Sequence, residues 1–322
     1  MRVRLLCVLT VVAALFAVPA GAQALTIGIS ENQPTMFEDP LFKALNVKNT
    51  RVVMSYNVMT SGDDELARVS QYLALAQAAG IEPLVTFEHA RGAAEHCKTN
   101  KRLPQCKMPT VAEYEQNLRL FLSRFPQVKV IAPWNEANHN TQPTARKPAT
   151  AAKFADILTK NCANCTNIVA DVLDQANNAK AKRPKFTSTT RWIKRFRRAL
   201  KSKRNVCGVH NYSDTNRFRR HGTKALIRAL GCKQIWLTET GGIYSFGEGR
   251  NAAFKPSESR QLRATKYMFS TARSNKKISR LYVYTWFGGV TARFDAGLVV
   301  NGQPRSSYAE IQKRIQASQA RR

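Results

Sequence analysis

Short apolar runs alternate along this chain with longer stretches whose apolar positions recur at helical spacing. The runs are Leu25–Ser30, Arg51–Tyr56, Ile81–Phe87, Val128–Trp134, Asn167–Val172, Asn205–Asn211, Gln234–Thr238 and Arg280–Phe287. They are rich in β-branched and aromatic residues, as strands of a sheet covered on both faces are. The stretches between them carry helix signals. "DDELARVSQYLALAQAAG" opens on acids, stops at Gly80, and sets Leu66, Val69, Leu73 and Ala76 on one face. "TVAEYEQNLRLFLSRFP" offers Thr110 as N-cap with Glu113 at the capping-box position, and Pro126 halts it. "PATAAKFADILTKN", "NRFRRHGTKALIRALG", "SESRQLRATKYMFSTARS" and "SSYAEIQKRIQASQ" continue the series. Eight strands, each followed by a helix, predict an α/β fold of the (β/α)8 barrel type, one domain over residues 23–322. A doubly wound open sheet is the competing arrangement, but no glycine-rich phosphate fingerprint follows the first run. Insertions follow the third, fourth and seventh runs, and a barrel would gather them at its C-terminal face. The segment from Gly241 to Pro256, rich in glycine and aromatics, is expected to overhang a cleft.

The first 22 residues stand outside this pattern. Arg2 and Arg4 precede an apolar core from Leu5 to Val18, and "AGAQA" offers small-residue cleavage sites after Ala22 or Ala24. These are the marks of a secretory signal peptide, too short and too poorly flanked for a stable membrane span. The mature chain is expected to be a monomer, secreted or otherwise extracytoplasmic, with the cell envelope as one destination. Cys7 leaves with the leader, so Cys97, Cys106, Cys162, Cys165, Cys207 and Cys232 remain. An even number outside the cytoplasm favours disulfides, and six cysteines permit fifteen pairings. Pairing of sequence neighbours gives Cys97–Cys106, Cys162–Cys165 and Cys207–Cys232. "CANC" is also a candidate zinc pair, but no second CxxC or histidine pair lies near it, so neither a metal nor another cofactor is expected.

The formal charge of +30 falls to +28 when Arg2 and Arg4 depart. Much of it sits between Lys180 and Arg204, a stretch without one acid. On a helix from about Ser188 to Ser202, Arg191, Lys194, Arg195, Arg198 and Lys201 form a stripe, with Trp192, Ile193, Phe196, Ala199 and Leu200 turned mostly away. Such a stripe is either a solvated outer face or a surface for an anionic cell-envelope polymer or acidic polysaccharide. Nucleic acid is not expected as a partner, because the chain has no stacking platform or groove-reading motif.

Two of the apolar runs close on glutamates: Glu136 in "VKVIAPWNEANH" and Glu239 in "QIWLTETGG". A carboxylate at a strand's C-terminal end is offered to solvent, and two of them facing across a cleft are what glycoside hydrolysis requires. "WNEAN" on the fourth strand, the glutamate closing the seventh, "GVHNY" on the sixth and "YTWF" on the eighth resemble glycoside hydrolase clan A, the retaining TIM-barrel glycosidases. "PWNEAN" is more similar to family 39 and its exported relatives than to the cellulase families. The topology matches over nearly the whole mature chain, while the specific motifs are short.

This resemblance implies a retaining glycoside hydrolase acting on a β-linked polysaccharide or oligosaccharide. Glu239 would be the ionised nucleophile and Glu136 the acid/base, holding its proton at neutral pH until attack. Asn135 would bind the sugar 2-hydroxyl, Tyr212 would donate to Glu239, His210 would orient polar groups beside Glu136, and Trp286 would stack on the pyranose. Strand-end position adds Glu31, Asn57, Glu88, His89 and Asp171 as candidate sugar contacts. Asn138 and His139 are expected to line a subsite, and Trp134 to pack inside. Each has a plainer alternative: a cap, a turn former, or a satisfied buried polar group. One position departs from the clan. Its members carry an arginine near the end of the second strand that supports the nucleophile, whereas here Arg51 opens that strand and the end reads "SYNVM". Either another residue is therefore expected in that role, or the surroundings of the nucleophile differ. The competing function is a non-catalytic envelope or carbohydrate-binding barrel working through its basic surface; retention of both carboxylates favours the enzyme.

Overall fold

A computed structural model describes residues 24–90, 108–177, 181–289 and 293–321. Eight parallel strands close into a barrel in sequential order. They are β1 Thr26–Ser30, β2 Asn49–Ser55, β3 Glu82–Glu88, β4 Val130–Ala132, β5 Thr166–Leu173, β6 Val206–His210, β7 Gln234–Thr240 and β8 Ile278–Tyr284. The last strand returns to the first through five paired positions, from Thr26 with Arg280 to Ser30 with Tyr284. All eight predicted runs fall on these strands, and closure excludes the open doubly wound sheet.

The helices lie outside the barrel: α1 Pro40–Leu45, α2 Asp63–Ala78, α3 Val111–Arg124, α4 Pro148–Asn161, α5 Thr187–Ala199, α6 Tyr212–Asn216, α7 His221–Leu230, α8 Glu258–Arg273 and α9 Ser306–Gln319; all but the short α1 and α6 fall on the predicted stretches, and α7 opens at His221 rather than Asn216. At the start of α3 the capping box forms as predicted: Glu113 N donates to Thr110 Oγ1 at 3.2 Å, and Thr110 N to Glu113 Oε2 at 2.7 Å. The buried face of α3 then steadies the loop after β4. Tyr114 stacks on Phe154 of α4 with centroids 4.2 Å apart, Phe154 stacks on Trp134 at 5.4 Å, and Tyr114 OH donates to Pro133 O at 2.9 Å. Trp134 packs inside, as expected, and its Nε1 donates to Gln142 Oε1 at 3.0 Å. The loop that carries Asn135 and Glu136 is thereby clamped at both ends.

Inside the barrel a separate apolar cluster comprises Leu84, Val130, Ala132, Ile168, Val206, Trp236 and Tyr282. Val130 and Val206 open their strands, so this layer fills the barrel toward its N-terminal end. The polar groups lie above it.

Two features differ from the sequence reading. Helix α5 stops at Ala199 rather than Ser202, because Asp156 of α4 captures the next backbone. Its carboxylate accepts from Lys201 N at 3.1 Å and from Ser202 N at 2.7 Å, which turns the chain outward and takes Lys201 off the stripe. Arg191, Lys194, Arg195 and Arg198 remain exposed, opposite buried Trp192, Ile193 and Phe196. The connection from β8 to α9 also carries structure that the pattern did not reveal. Phe294–Asp295 pairs antiparallel with Ser245–Phe246, and Arg305 grips Asp295 with both guanidinium nitrogens, at 2.8 and 2.6 Å. The loops after β7 and β8 are thus one unit.

Cys162–Cys165 and Cys207–Cys232 are bonded. Cys97 and Cys106 lie outside the described residues, as does the expected leader. Among the described residues, no helix is long and apolar enough to cross a membrane. The Cys207–Cys232 bridge closes the longer loop, with a sequence separation of 25 against 3. Chain-entropy reasoning gives it about 3.5 kcal/mol and the short bridge about 2 kcal/mol. Denaturant titration of the C207A/C232A and C162A/C165A variants is expected to show losses in that order.

Candidate active site

The mouth of the barrel is organised around Arg51, whose side chain is wholly buried. One guanidinium nitrogen donates to Glu239 Oε2 at 2.7 Å and to Ser30 Oγ at 3.2 Å. The other donates to Asn135 Oδ1 at 2.7 Å and lies 3.4 Å from Asp171 Oδ2. This corrects the expectation that Arg51 faces the wrong end and that another residue supports Glu239. A residue's height in a closed barrel depends on the stagger between strands as well as its place in its own strand. Arg51 pairs with Ser30, the last residue of β1, so the early part of β2 is already level with a strand top.

Asp171 is fully buried inside the barrel, which corrects its assignment as a rim contact. Its Oδ1 accepts from Thr238 Oγ1 at 2.5 Å and lies 3.1 Å from His210 Nε2. Gly208 makes room for it: a Cβ there would sit 2.3 Å from Asp171 Oδ1 and 2.5 Å from Thr238 Oγ1. His210 ends β6 and pairs in register with Glu239 of β7. Its Nδ1 is 3.0 Å from Glu136 Oε1 and 3.8 Å from Glu239 Oε2. Tyr212 OH donates to Glu239 Oε1 at 2.9 Å.

Glu136 follows β4 in a turn, with φ of 43°. That left-handed conformation costs a non-glycine residue about 1–2 kcal/mol. The flanking chain holds it there: Ala137 N donates to Asp171 O at 3.0 Å and His139 N to Glu136 O at 2.7 Å. The side chains of Glu136 and Glu239 are 18% and 13% exposed, so both meet solvent through a narrow opening. One carboxylate oxygen of each, together with a His210 nitrogen, fall within 4.8 Å of one another.

The charges are interdependent. Burial alone would lower the His210 pKa, but the charges of Asp171 and Glu239 and hydrogen bonds to Asp171 and Glu136 raise it to about 10. Burial pushes Asp171 up, and His210 with Arg51 more than reverses this, lowering it to about 2. Burial likewise pushes Glu136 up, yet the hydrogen bond and charge of His210 bring it below its ordinary value. The proton expected on Glu136 therefore rests on the His210 side of their shared hydrogen bond. Tyr212 is raised by burial and by Glu239, so it stays a phenol and a donor. Among the described residues, Glu136, His210 and Glu239 are also a set that could hold a cation. Arg51 already supplies positive charge 2.7 Å from Glu239, which weakens the case for a metal.

The remaining candidates divide. Asn135 joins the cluster through Arg51, and its Nδ2 donates to Glu88 Oε2 at 3.4 Å. Glu88 is mostly buried behind it. His139 approaches Glu136 Oε2 at 3.7 Å, Asn138 ties the loop to Leu173, and His89 contacts Gln142. Asn57 lies in the turn after β2, outside this hydrogen-bonded cluster. Glu31 is corrected from sugar contact to backbone tie. Its two oxygens accept from the amides of Asn32, Gln33, Trp286 and Phe287 and from Thr285 Oγ1. Trp286 is corrected as well: it is wholly buried, edge-on to Phe42, with Nε1 bonded to Asp39. No ring face remains for a sugar. An aromatic group that the sequence reading missed lies nearer, where Tyr212 packs on Tyr284 and Phe294, and Phe294 on the exposed Phe246.

A closed (β/α)8 barrel with paired carboxylates in its mouth defines a glycosidase class of protein. A family model described as "Glycosyl hydrolase catalytic core" matches residues 98–308, and the chain belongs to that family. No curated protein matches it in sequence. Among solved structures it is similar to GH5_18 from Streptomyces cattleya in complex with GlcNAc, at 13% identity and TM-score 0.62, covering 92% of this chain and 81% of that one. It is also similar to xylanase 10B from Thermotoga petrophila RKU-1 in complex with xylobiose, at 13% identity and TM-score 0.60, covering 91% and 94%. A β-glucosidase from Thermotoga maritima in complex with a substituted glucoimidazole aligns at 12% identity and TM-score 0.59, covering 88% and 86%. At these identities the likeness is one of fold.

The shifts fix the pH dependence of stability. His210 titrates near 6.5 when unfolded and near 10 when folded, so its contribution is full below about pH 6.5 and is lost as pH rises through 10. Asp171 moves from 3.8 to about 2, so its contribution is present above about pH 4 and is lost as pH falls through 2. The thermal midpoint, followed by circular dichroism, is expected to fall from pH 6.5 to 10, and His210→Asn is expected to flatten that fall. Parallel curves would contradict the assignment.

Proposed function

We propose that this chain is an exported, retaining glycoside hydrolase of clan A, related to family 39, that cleaves β-linked polysaccharides or oligosaccharides. The carrying observation is that carboxylate oxygens of Glu136 and Glu239 lie within 4.8 Å of each other. Retaining enzymes hold their carboxyl groups about 5–5.5 Å apart, whereas inverting enzymes leave about 6.5–9.5 Å for a water molecule. The β-glucosidase and xylanase among the structural neighbours are in keeping with a β-linked substrate.

In this reading Glu239 attacks the anomeric carbon and forms a glycosyl-enzyme, while Glu136 protonates the departing oxygen. Arg51 and Tyr212 fix the rotamer of Glu239, each bound to a different oxygen. A bound sugar excludes water, which strengthens the burial effect on Glu136 and draws the proton across from His210. After departure of the leaving group, Glu136 takes a proton from the water that releases the sugar. Asn135, held by Arg51, is set to bind the 2-hydroxyl, and the Tyr212–Tyr284–Phe294 group offers the apolar surface first sought in Trp286. The two disulfides and the absence of a membrane-spanning helix among the described residues are compatible with work outside the cytoplasm.

A panel of β-glucans, xylans and mannans followed by NMR is expected to yield the β-anomer first; prompt α-anomer would refute the mechanism. Glu239→Gln is expected to lower kcat at least about a thousandfold while the fold persists. Glu136→Gln should spare the first step for aryl glycosides whose leaving group needs no proton, and loss of that step would reassign Glu136. With His210→Asn the pair no longer holds its shared proton up to about pH 10, so the alkaline limb of kcat/KM is expected to move to lower pH.

A further inference from the structure

The loop that carries Glu136 also forms one side of a second concavity. It is a groove of about 750 Å³ between the β4–α4 loop and α5, within the usual range for ligand sites. Asn138 and Trp192 line it together with Arg146, Lys147, Arg191 and Arg195. All four cations are exposed. Among the described residues, none has an acidic side chain within ion-pair distance. Like charges gathered without counter-charge repel one another, so the groove gains most from an anionic occupant. Arg191 and Arg195, one helical turn apart, present their guanidinium forks on the same face of α5.

The groove is coupled to the carboxylate pair through the chain. Trp192 Nε1 donates to Thr144 O at 3.3 Å, and Thr144 Oγ1 donates to Ala137 O at 2.8 Å, next to Glu136. A group that protonates the leaving oxygen borders the leaving-group half of the substrate, and the loop that carries Glu136 lines this groove from Asn138 onward.

We propose that the groove is a leaving-group subsite for acidic sugars, and that the enzyme's substrates are β-linked glycans bearing ring carboxylates. The proposal rests on the glycosidase reading and names its substrate class. A uronic acid carries its charge on the ring itself, so one residue can meet the edge of Trp192 and the arginine forks together. Carboxylate geometry suits a bidentate guanidinium, and such pairs are stronger than neutral hydrogen bonds. A nucleic acid would also seek positive charge, but this groove supplies no row of stacking faces.

The test is binding, measured by calorimetry in the Glu239→Gln background. The probes are a β-1,4-mannuronate tetramer, its neutral methyl ester, a glycerol phosphate oligomer and a single-stranded DNA 12-mer. The free acid is expected to bind at least tenfold tighter than the ester. R191E/R195E should erase that preference, K224E/R228E on α7 should preserve it despite the same charge change, and high salt should reduce it. Equal binding of acid and ester, or indifference to R191E/R195E, overturns the proposal. Equal or tighter binding of the phosphate oligomer or the DNA also overturns it, by showing general attraction to anions. Binding requires no turnover, so an inverting or inactive protein can still satisfy these criteria. Hydrolysis of neutral glycans with no acid preference would sink this proposal and leave the glycosidase reading standing.

Discussion

A single buried guanidinium governs the barrel mouth. Arg51 contacts β1 through Ser30, β7 through Glu239, the post-β4 loop through Asn135 and β5 through Asp171. Its burial is tolerable only because carboxylates surround it, and Asp171 can be buried only because Arg51 and His210 surround it in turn. Loss of any one member leaves its neighbours with uncompensated charge. The site and the stability of the upper barrel are therefore the same set of interactions, and neither changes without the other.

The fold was legible because a two-sided sheet imposes a pattern that a sequence carries openly. Strands β1 to β8 announced themselves as apolar runs, and the capping box at Thr110 and Glu113 fixed the start of α3. The carboxylate pair was legible for a related reason: each strand stops where the chain turns polar. The polar layer beneath was harder. Arg51 and Asp171 are lone charges in otherwise apolar strands, "NTRVVMS" and "TNIVADVL", and a charge in such a strand requires a partner inside. That signal was present, but the stagger that makes Arg51 level with Ser30 is a property of neighbouring strands.

Glu31 and Trp286 illustrate the opposite error. Both stand where strands end, and both were assigned to the ligand. Glu31 is consumed by backbone amides, and Trp286 by packing against Phe42 and a hydrogen bond to Asp39. Strand-end position identifies residues near the mouth without showing which way they turn. The Phe246–Phe294 pairing was invisible for another reason: two-residue ladders between distant loops leave no periodic trace.

Glu31 spans the seam where the first and last strands meet, its carboxylate gathering Thr285, Trp286 and Phe287 beside β1. A cylinder of this kind is finished only when the final strand reaches the earliest one, so the joint waits on Ile278–Tyr284. Chains broken off before Ile278 would own both glutamates yet retain two bare edges in place of a sealed ring. The seam thus ties the pocket to one segment: without Ile278–Tyr284 the two glutamates would have no closed mouth to face across.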